Sequence, residues 1–210
     1  MKAFCLIAAF SVCAFGADPS LDSLLKNVEA RYNRAKTLEV LFTEQYTPLG
    51  KASRTESGRL QLRKPGRMRW DYSQPKGKLF ISDGKYLWLY TPAENRAERM
   101  KLQETEDMRA PLAFLLGKLH FDKEFRNFQA RPEGAATRIT AEPKAENLPY
   151  SSVEFVVEND GTIRELKATY YDKSTLDFTF RDEKVDPPLD ANLFHFEAPK
   201  GADIVTEAGQ

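Results

Sequence analysis

The chain has 210 residues, and its 31 lysine and arginine residues are balanced by 31 aspartate and glutamate residues. Apolar residues make up 41 % and charged residues 30 %, a globular composition that excludes collagen-like repeats and extensive disorder. Zero net charge argues against non-specific nucleic-acid binding and against tight electrostatic docking on anionic lipid. One domain is the default at this length, although two small ones are possible.

The N-terminus has the pattern of a cleavable secretory signal. Met1 and Lys2 precede an apolar run over residues 3–15, which ends at the small residue Gly16. The run is too short to span a bilayer, so we expect residues 1–16 to be removed and residues 17–210 to form a single domain. A buried first helix is the alternative.

Both cysteines, Cys5 and Cys13, lie inside this signal. The mature chain is therefore expected to hold no disulfide and no thiolate-bound metal. The residues before Cys13 fit a lipoprotein acylation site poorly, which favours a soluble exported protein.

One amphipathic helix is predicted over residues 19–36. Asp18 and Pro19 resemble an N-cap and a first-turn proline. Apolar residues then recur at helical spacing, namely Leu21, Leu24, Leu25, Val28 and Tyr32.

From Leu38 onward the apolar period changes to two, which predicts strands with one apolar face. Asp83-Gly84 and Asp160-Gly161 are hairpin dipeptides between such segments. We expect about a dozen short strands in an antiparallel sheet, because long parallel crossovers are absent. The clearest alternating apolar positions are Leu38, Val40, Phe42, Leu60, Leu62, Met68, Trp70, Tyr72, Val153, Phe155, Val157, Leu166, Ala168, Tyr170, Leu176, Phe178 and Phe180.

Three segments depart from this alternation. Residues 79–81 and 86–90 are apolar on both faces, so periodicity does not assign their inward side. Residues 104–118 break the strand pattern and predict a short apolar helix ending at Gly117. We expect two helices to close the open side of a curved sheet. Such a sheet can leave an apolar cavity, although composition alone favours a packed core.

The sequence offers no recognisable catalytic or metal-binding set. His120 and His195 lack the spacing of a zinc site, and no nucleophile elbow, phosphate loop or dinucleotide fingerprint occurs. We therefore predict no enzyme activity, no metal and no cofactor. His195, between Phe194 and Phe196, is expected to point outward from a strand.

Several motifs follow one another in a family-specific order. Residues 58–72 (GRLQLRKPGRMRWDY) and 82–90 (SDGKYLWLY) look like a G-x-L-x-x-x-R-P-x-x-x-x-W strand pair and an S-D-G-K-x-L-W-x-Y hairpin. Residues 41–45, 111–116 and 194–203 add partial matches. Together they resemble the LolA family of periplasmic lipoprotein carriers over nearly the whole mature chain.

The resemblance implies a mainly β fold, an incomplete antiparallel barrel of about 11 strands closed by a helical lid. It implies a monomeric periplasmic carrier that takes the acyl chains of a lipoprotein from the inner to the outer membrane. The implied partners are an inner-membrane ABC-type exporter and an outer-membrane acceptor, LolB or another. A carrier of another lipid and an envelope-stress sensor domain are the alternatives.

The inward positions of the predicted elements form the candidate cavity lining. Met68 stands where the family has phenylalanine, and its flexible side chain suits a cavity mouth that accepts mobile chains. The candidate residues are Leu25, Val40, Phe42, Leu60, Leu62, Met68, Trp70, Leu112, Phe114, Leu115, Phe155, Val157, Leu166, Tyr170 and Phe178.

Lys64 stands where the family has an arginine that bonds backbone carbonyls of the lid. The resemblance therefore implies a latch from Lys64 to carbonyls around residues 111–115. Lysine donates as a point charge without the planar fork of arginine, so closure would be tuned differently. The alternative is a solvated lysine in the turn formed by residues 64–66.

Overall fold

The alternating segments assemble into one twelve-stranded sheet. The computed structural model describes residues 20–102, 119–146 and 148–206. In chain order the strands are β1 Thr37–Thr47, β2 Arg54–Arg63, β3 Arg67–Gln74, β4 Leu79–Asp83, β5 Tyr86–Thr91, β6 Arg96–Lys101, β7 Phe125–Glu133, β8 Ala136–Pro143, β9 Tyr150–Glu158, β10 Ile163–Tyr170, β11 Thr175–Val185 and β12 Asp203–Thr206. The predicted signal and lid segments lie outside the described residues.

The strand order is β12-β6-β5-β4-β3-β2-β1-β11-β10-β9-β8-β7, a large curled sheet that does not close on itself. Every neighbouring pair is antiparallel except β6 and β12, which are parallel. The prediction of an antiparallel sheet is thus wrong at one edge. There the C-terminal segment crosses the outer face of the sheet and returns beside β6.

Helix α1, Leu21–Arg34, packs its buried residues Leu24, Val28 and Tyr32 against the concave face. Its N-cap is Ser20, whose hydroxyl accepts the Ser23 amide at 3.3 Å. The expected cap at residues 18–19 lies outside the described residues. The other described helices are α2, Phe121–Glu124, and a 3-10 helix, Ala191–Phe194, and none of the three could cross a membrane.

A glycine lets the β9–β10 turn approach helix α1 closely. Gly161 has φ +85°, and a Cβ there would lie 3.0 Å from the backbone carbon of Asn27. A larger residue would be strained in this left-handed conformation and would push the helix away. The predicted hairpin dipeptide Asp160-Gly161 therefore also allows helix α1 to pack closely against this turn.

A buried carboxylate fixes the C-terminal half of α1. Glu183 of β11 accepts hydrogen bonds from Arg31 Nε at 2.9 Å and Nη2 at 2.7 Å, and from the Tyr32 hydroxyl at 2.7 Å. The same hydroxyl accepts the amide of Ile163 at 2.9 Å, which ties the helix to β10 as well. Periodicity gives no signal for these contacts, because the partners are about 150 residues apart in sequence.

The two strands that are apolar on both faces are explained by the returning C-terminal segment. Leu87 belongs to the main core on the concave face, whereas Ile81, Tyr90 and Phe196 form a second cluster on the outer face. The Phe196 ring stacks on Trp88 with centroids 5.0 Å apart.

The predicted strand around His195 is wrong. The 3-10 helix ends at Phe194, and the chain runs on from there in an irregular path over the sheet. His195 is exposed between two buried phenylalanines, as the alternation indicated.

Candidate functional site

The concave face of the sheet carries the main hydrophobic cluster of the described residues. Leu25 and Tyr170 are half-buried and pack against its main cluster. The other described members of the candidate lining are buried in that cluster, namely Val40, Phe42, Leu60, Leu62, Met68, Trp70, Phe155, Val157, Leu166 and Phe178. Leu112, Phe114 and Leu115 lie outside the described residues. The structure therefore brings all the candidate residues that it describes into one hydrophobic cluster, with Leu25 on helix α1 and the others on the concave face of the sheet.

Aromatic rings dominate the centre of this surface. The Trp70 ring lies 4.7 Å from Phe42 and 5.8 Å from Phe178, so three strands contribute to one aromatic wall. A second aromatic group lies near β7 and β9. There the ring of Phe155 is 5.4 Å from that of Phe121 in α2 and 5.9 Å from that of Phe125. Three of these four ring pairs meet edge to face, an arrangement that aromatic side chains prefer.

The concave face becomes polar toward the end of β1. Glu44 lies opposite Glu56 of β2, and the Tyr72 hydroxyl donates to Glu44 at 3.4 Å. Glu56 is buried and pairs with Lys78, whose amine lies 4.3 Å from the centre of the Tyr72 ring. Burial first, and the charge of Glu56 second, raise the pKa of Glu44. Sequence analysis missed this cluster, although Glu44 shares the parity of Val40 and Phe42.

The same end of the sheet has three half-buried inward side chains. Tyr46, Tyr170 and Leu176 are half-buried there, whereas Met68 at the opposite end is 6 % exposed. A cavity mouth beside Met68 therefore stays a prediction. The end of the concave face near the turns at residues 48–53 and 171–174 is more accessible than the end near Met68.

Lys64 is bonded to helix α1. Its amine donates to the carbonyl oxygen of Tyr32 at 2.7 Å, and burial lowers the pKa of Lys64. A cavity of about 10 Å³ lies beside this bond. The side chain is half-buried, which contradicts the solvated alternative. The latch to residues 111–115 stays a prediction, because those residues lie outside the described part of the chain.

Among the described residues, one cluster offers three possible metal ligands. Atoms of Glu29, His120 and Asp122 lie within 4.8 Å of one another. The Glu29 carboxylate accepts the Phe121 amide at 2.7 Å, and Glu124 accepts the His120 amide at 3.2 Å. Within this cluster the Glu29 carboxylate therefore already satisfies a backbone donor at the start of α2.

A family model described as "Outer membrane lipoprotein carrier protein LolA" matches residues 33–197 of this chain. The chain belongs to the LolA family. Two relatives are named outer-membrane lipoprotein carrier protein. The protein from Chromobacterium violaceum is 28 % identical over 203 residues, with 97 % of each chain covered. That from Proteus mirabilis is 26 % identical over 201 residues, covering 95 % of this chain and 96 % of its own.

A solved structure shares the LolA fold seen here. The crystal structure of an uncharacterized conserved protein from Thermus thermophilus aligns with a TM-score of 0.53 at 14 % identity. The alignment covers 90 % of this chain and 100 % of that one.

The LolA motifs hold the hairpins of the sheet in register. The buried Ser82 hydroxyl donates to the Gly66 carbonyl at 2.7 Å and accepts the Gly84 amide at 3.2 Å, so it joins two neighbouring turns. At Gly58 a Cβ would lie 2.2 Å from the Asp71 carbonyl oxygen, so only glycine allows β2 and β3 to approach this closely. These motif residues therefore shape the sheet, whereas the alternating apolar positions form its hydrophobic cluster.

Proposed function

We propose that this LolA-family protein is a periplasmic carrier that holds the acyl chains of a lipoprotein against its concave apolar face. The observation that carries the proposal is the aromatic and aliphatic cluster on the concave face, centred on Trp70, Phe42 and Phe178. Each buried methylene contributes about 0.8 kcal/mol, so a sixteen-carbon chain gains roughly 10 kcal/mol over exposure to water. A lipoprotein needs such a container to cross the aqueous periplasm.

The relatives' name, outer-membrane lipoprotein carrier protein, supports the outer membrane as the destination of the cargo. We propose loading at an inner-membrane ABC-type exporter and delivery to an outer-membrane acceptor, LolB-like or another. The carrier works as a monomer and changes no covalent bond of its cargo. Opening the predicted lid has to cost little free energy. Apolar side chains of the 104–118 segment would therefore make the contacts that the acyl chains give up on release.

A release assay tests the proposal. Inner-membrane vesicles that contain the exporter and a labelled acylated lipoprotein are incubated with the mature protein, and label is measured in the supernatant. Wild type should release lipoprotein in a stoichiometric complex. Release of another lipid without lipoprotein would favour the alternative cargo, and no release of either would contradict the carrier function.

Two adjacent residues of β10 provide a matched pair for this assay. Tyr170 faces the concave side and is half-buried, so Tyr170→Asp should fold and release less lipoprotein because a charge then lies on the acyl path. Thr169→Asp places the same charge on the other face of the strand and should act as wild type. Equal activity of the two variants would mean that acyl chains do not lie on this surface.

A further inference from the structure

Two neighbouring turns carry the most exposed large hydrophobic side chains of the described residues. Leu49, between β1 and β2, is 69 % exposed, and Tyr171, between β10 and β11, is 60 % exposed. Thr47 of β1 pairs with Thr175 of β11, so both turns project from the same end of the sheet. Single exposed hydrophobic residues are common, but two on adjacent turns mark an interaction surface.

Each of these side chains is followed by an exposed lysine two residues later, Lys51 and Lys173. Within the described part of the chain, no ion pair involves either lysine. The intervening Asp172 carboxylate accepts the amide and hydroxyl of Ser174 inside its own turn. Apolar tips with flanking lysines have the chemistry of shallow insertion among anionic lipid headgroups.

We propose that this end of the molecule docks on an anionic lipid surface. Leu49 and Tyr171 insert at headgroup level, and Lys51 and Lys173 contact lipid phosphates. Tyrosine suits this depth because its ring is apolar and its hydroxyl remains hydrated. The full chain carries no net charge, so no overall attraction to anionic lipid adds to that of the two lysines, and docking is weak and reversible.

Docking would turn the accessible end of the concave face toward the bilayer. Tyr46, Tyr170 and Leu176 lie on the same strands as the two turns and at the same end. Under the proposed carrier function, on which this consequence rests, an acyl chain would then travel a shorter path through water. A protein partner could cover the apolar tips as well, but the paired lysines favour a surface of repeated negative charge.

Vesicle co-sedimentation tests the proposal. The mature protein is mixed with vesicles of phosphatidylethanolamine and phosphatidylglycerol, or of phosphatidylcholine alone. Wild type should partition onto the anionic vesicles, and Leu49→Ser with Tyr171→Ser should lower that partition by about tenfold. Lys51→Glu with Lys173→Glu should remove the preference for phosphatidylglycerol. Val185→Ser is the matched control, because Val185 is 40 % exposed at the opposite end of β11.

Uptake of a fluorescent fatty acid, measured on each variant, separates docking from carriage. All variants should take up the dye as wild type does, so a loss of docking would leave the carrier function intact. The proposal is overturned if wild type binds neither vesicle, or if the serine double variant still binds them like wild type. It is also overturned if that variant changes the oligomeric state without lipid, since the tips would then cover a second copy of the chain.

Discussion

Glu44 and Glu56 face each other across β1 and β2 at the polar end of the concave surface. Lys78 pairs with Glu56, while Glu44 receives one long hydrogen bond from Tyr72. Arg54 also pairs with Glu56, at 3.2 Å. Like charges opposite each other on neighbouring strands are destabilising, so this pair lowers stability at an otherwise well-packed site.

Glu44→Gln should make the protein less sensitive to pH. The pKa of Glu44 is raised by burial and by Glu56, so the folded state holds this proton more tightly than the unfolded state does. The wild type therefore loses stability as pH rises from the ordinary glutamate pKa through the raised value, and the variant lacks this loss. At neutral pH the variant should be more stable by about 0.5 kcal/mol.

Urea unfolding across this pH range measures the difference. Glu94→Gln, in the exposed β5–β6 turn, is the control and should retain the pH dependence of wild type. A constant difference between Glu44→Gln and wild type at every pH would show that Glu44 is not perturbed.

Glu183→Gln should loosen helix α1. The substitution removes the charge that binds Arg31 and the Tyr32 hydroxyl, and it leaves the half-buried arginine with only the longer ion pair to Asp160, at 3.5 Å. We expect the free energy of unfolding to fall by about 2 kcal/mol. Asp22→Asn breaks the exposed Lys26 pair on the same helix and should cost less than about 0.5 kcal/mol. Similar costs for the two variants would contradict an anchoring role for Glu183.

Phe196→Ala should detach the C-terminal segment from the outer face. It removes a buried ring from the cluster of Ile81, Tyr90 and Trp88, at a cost of about 3 kcal/mol. Trp88 then becomes hydrated, so its fluorescence should shift to the red. His195→Ala changes an exposed neighbour and should leave both stability and emission as in wild type. An unchanged Trp88 emission in Phe196→Ala would mean that this ring does not cover it.

Lys64→Met should weaken the hold of β2 on helix α1. The variant keeps the length of the side chain and loses the charge-assisted bond to the Tyr32 carbonyl, which is worth about 1.5 kcal/mol. Lys64→Arg keeps a donor and should retain most of that stability. If Lys64 also latches the lid, Lys64→Met should in addition alter the rate of fatty-acid release. Unchanged stability would exclude the bond, and an unchanged release rate would exclude the latch.

Period-two alternation was enough to predict the curled sheet and the inward set around Val40, Phe42 and Trp70. Local sequence could not show what covers the outer face of β4 and β5, because Phe196 comes from more than a hundred residues away. For the same reason it missed Glu183 as the anchor of α1. Glu44 shares the inward parity of Val40 and Phe42, but parity alone does not distinguish a buried carboxylate from a solvated one.

The most direct test of acyl chains on the concave face uses the two tryptophans of the protein. Trp70 lies on the concave face beside Phe42, and Trp88 lies on the outer face beneath Phe196. Trp88→Phe and Trp70→Phe leave one emitter on each side of the sheet. A fatty acid with a spin label on its alkyl chain is titrated into each variant. The account predicts saturable quenching of Trp70 and little quenching of Trp88. Equal quenching of both, or selective quenching of Trp88, would contradict it.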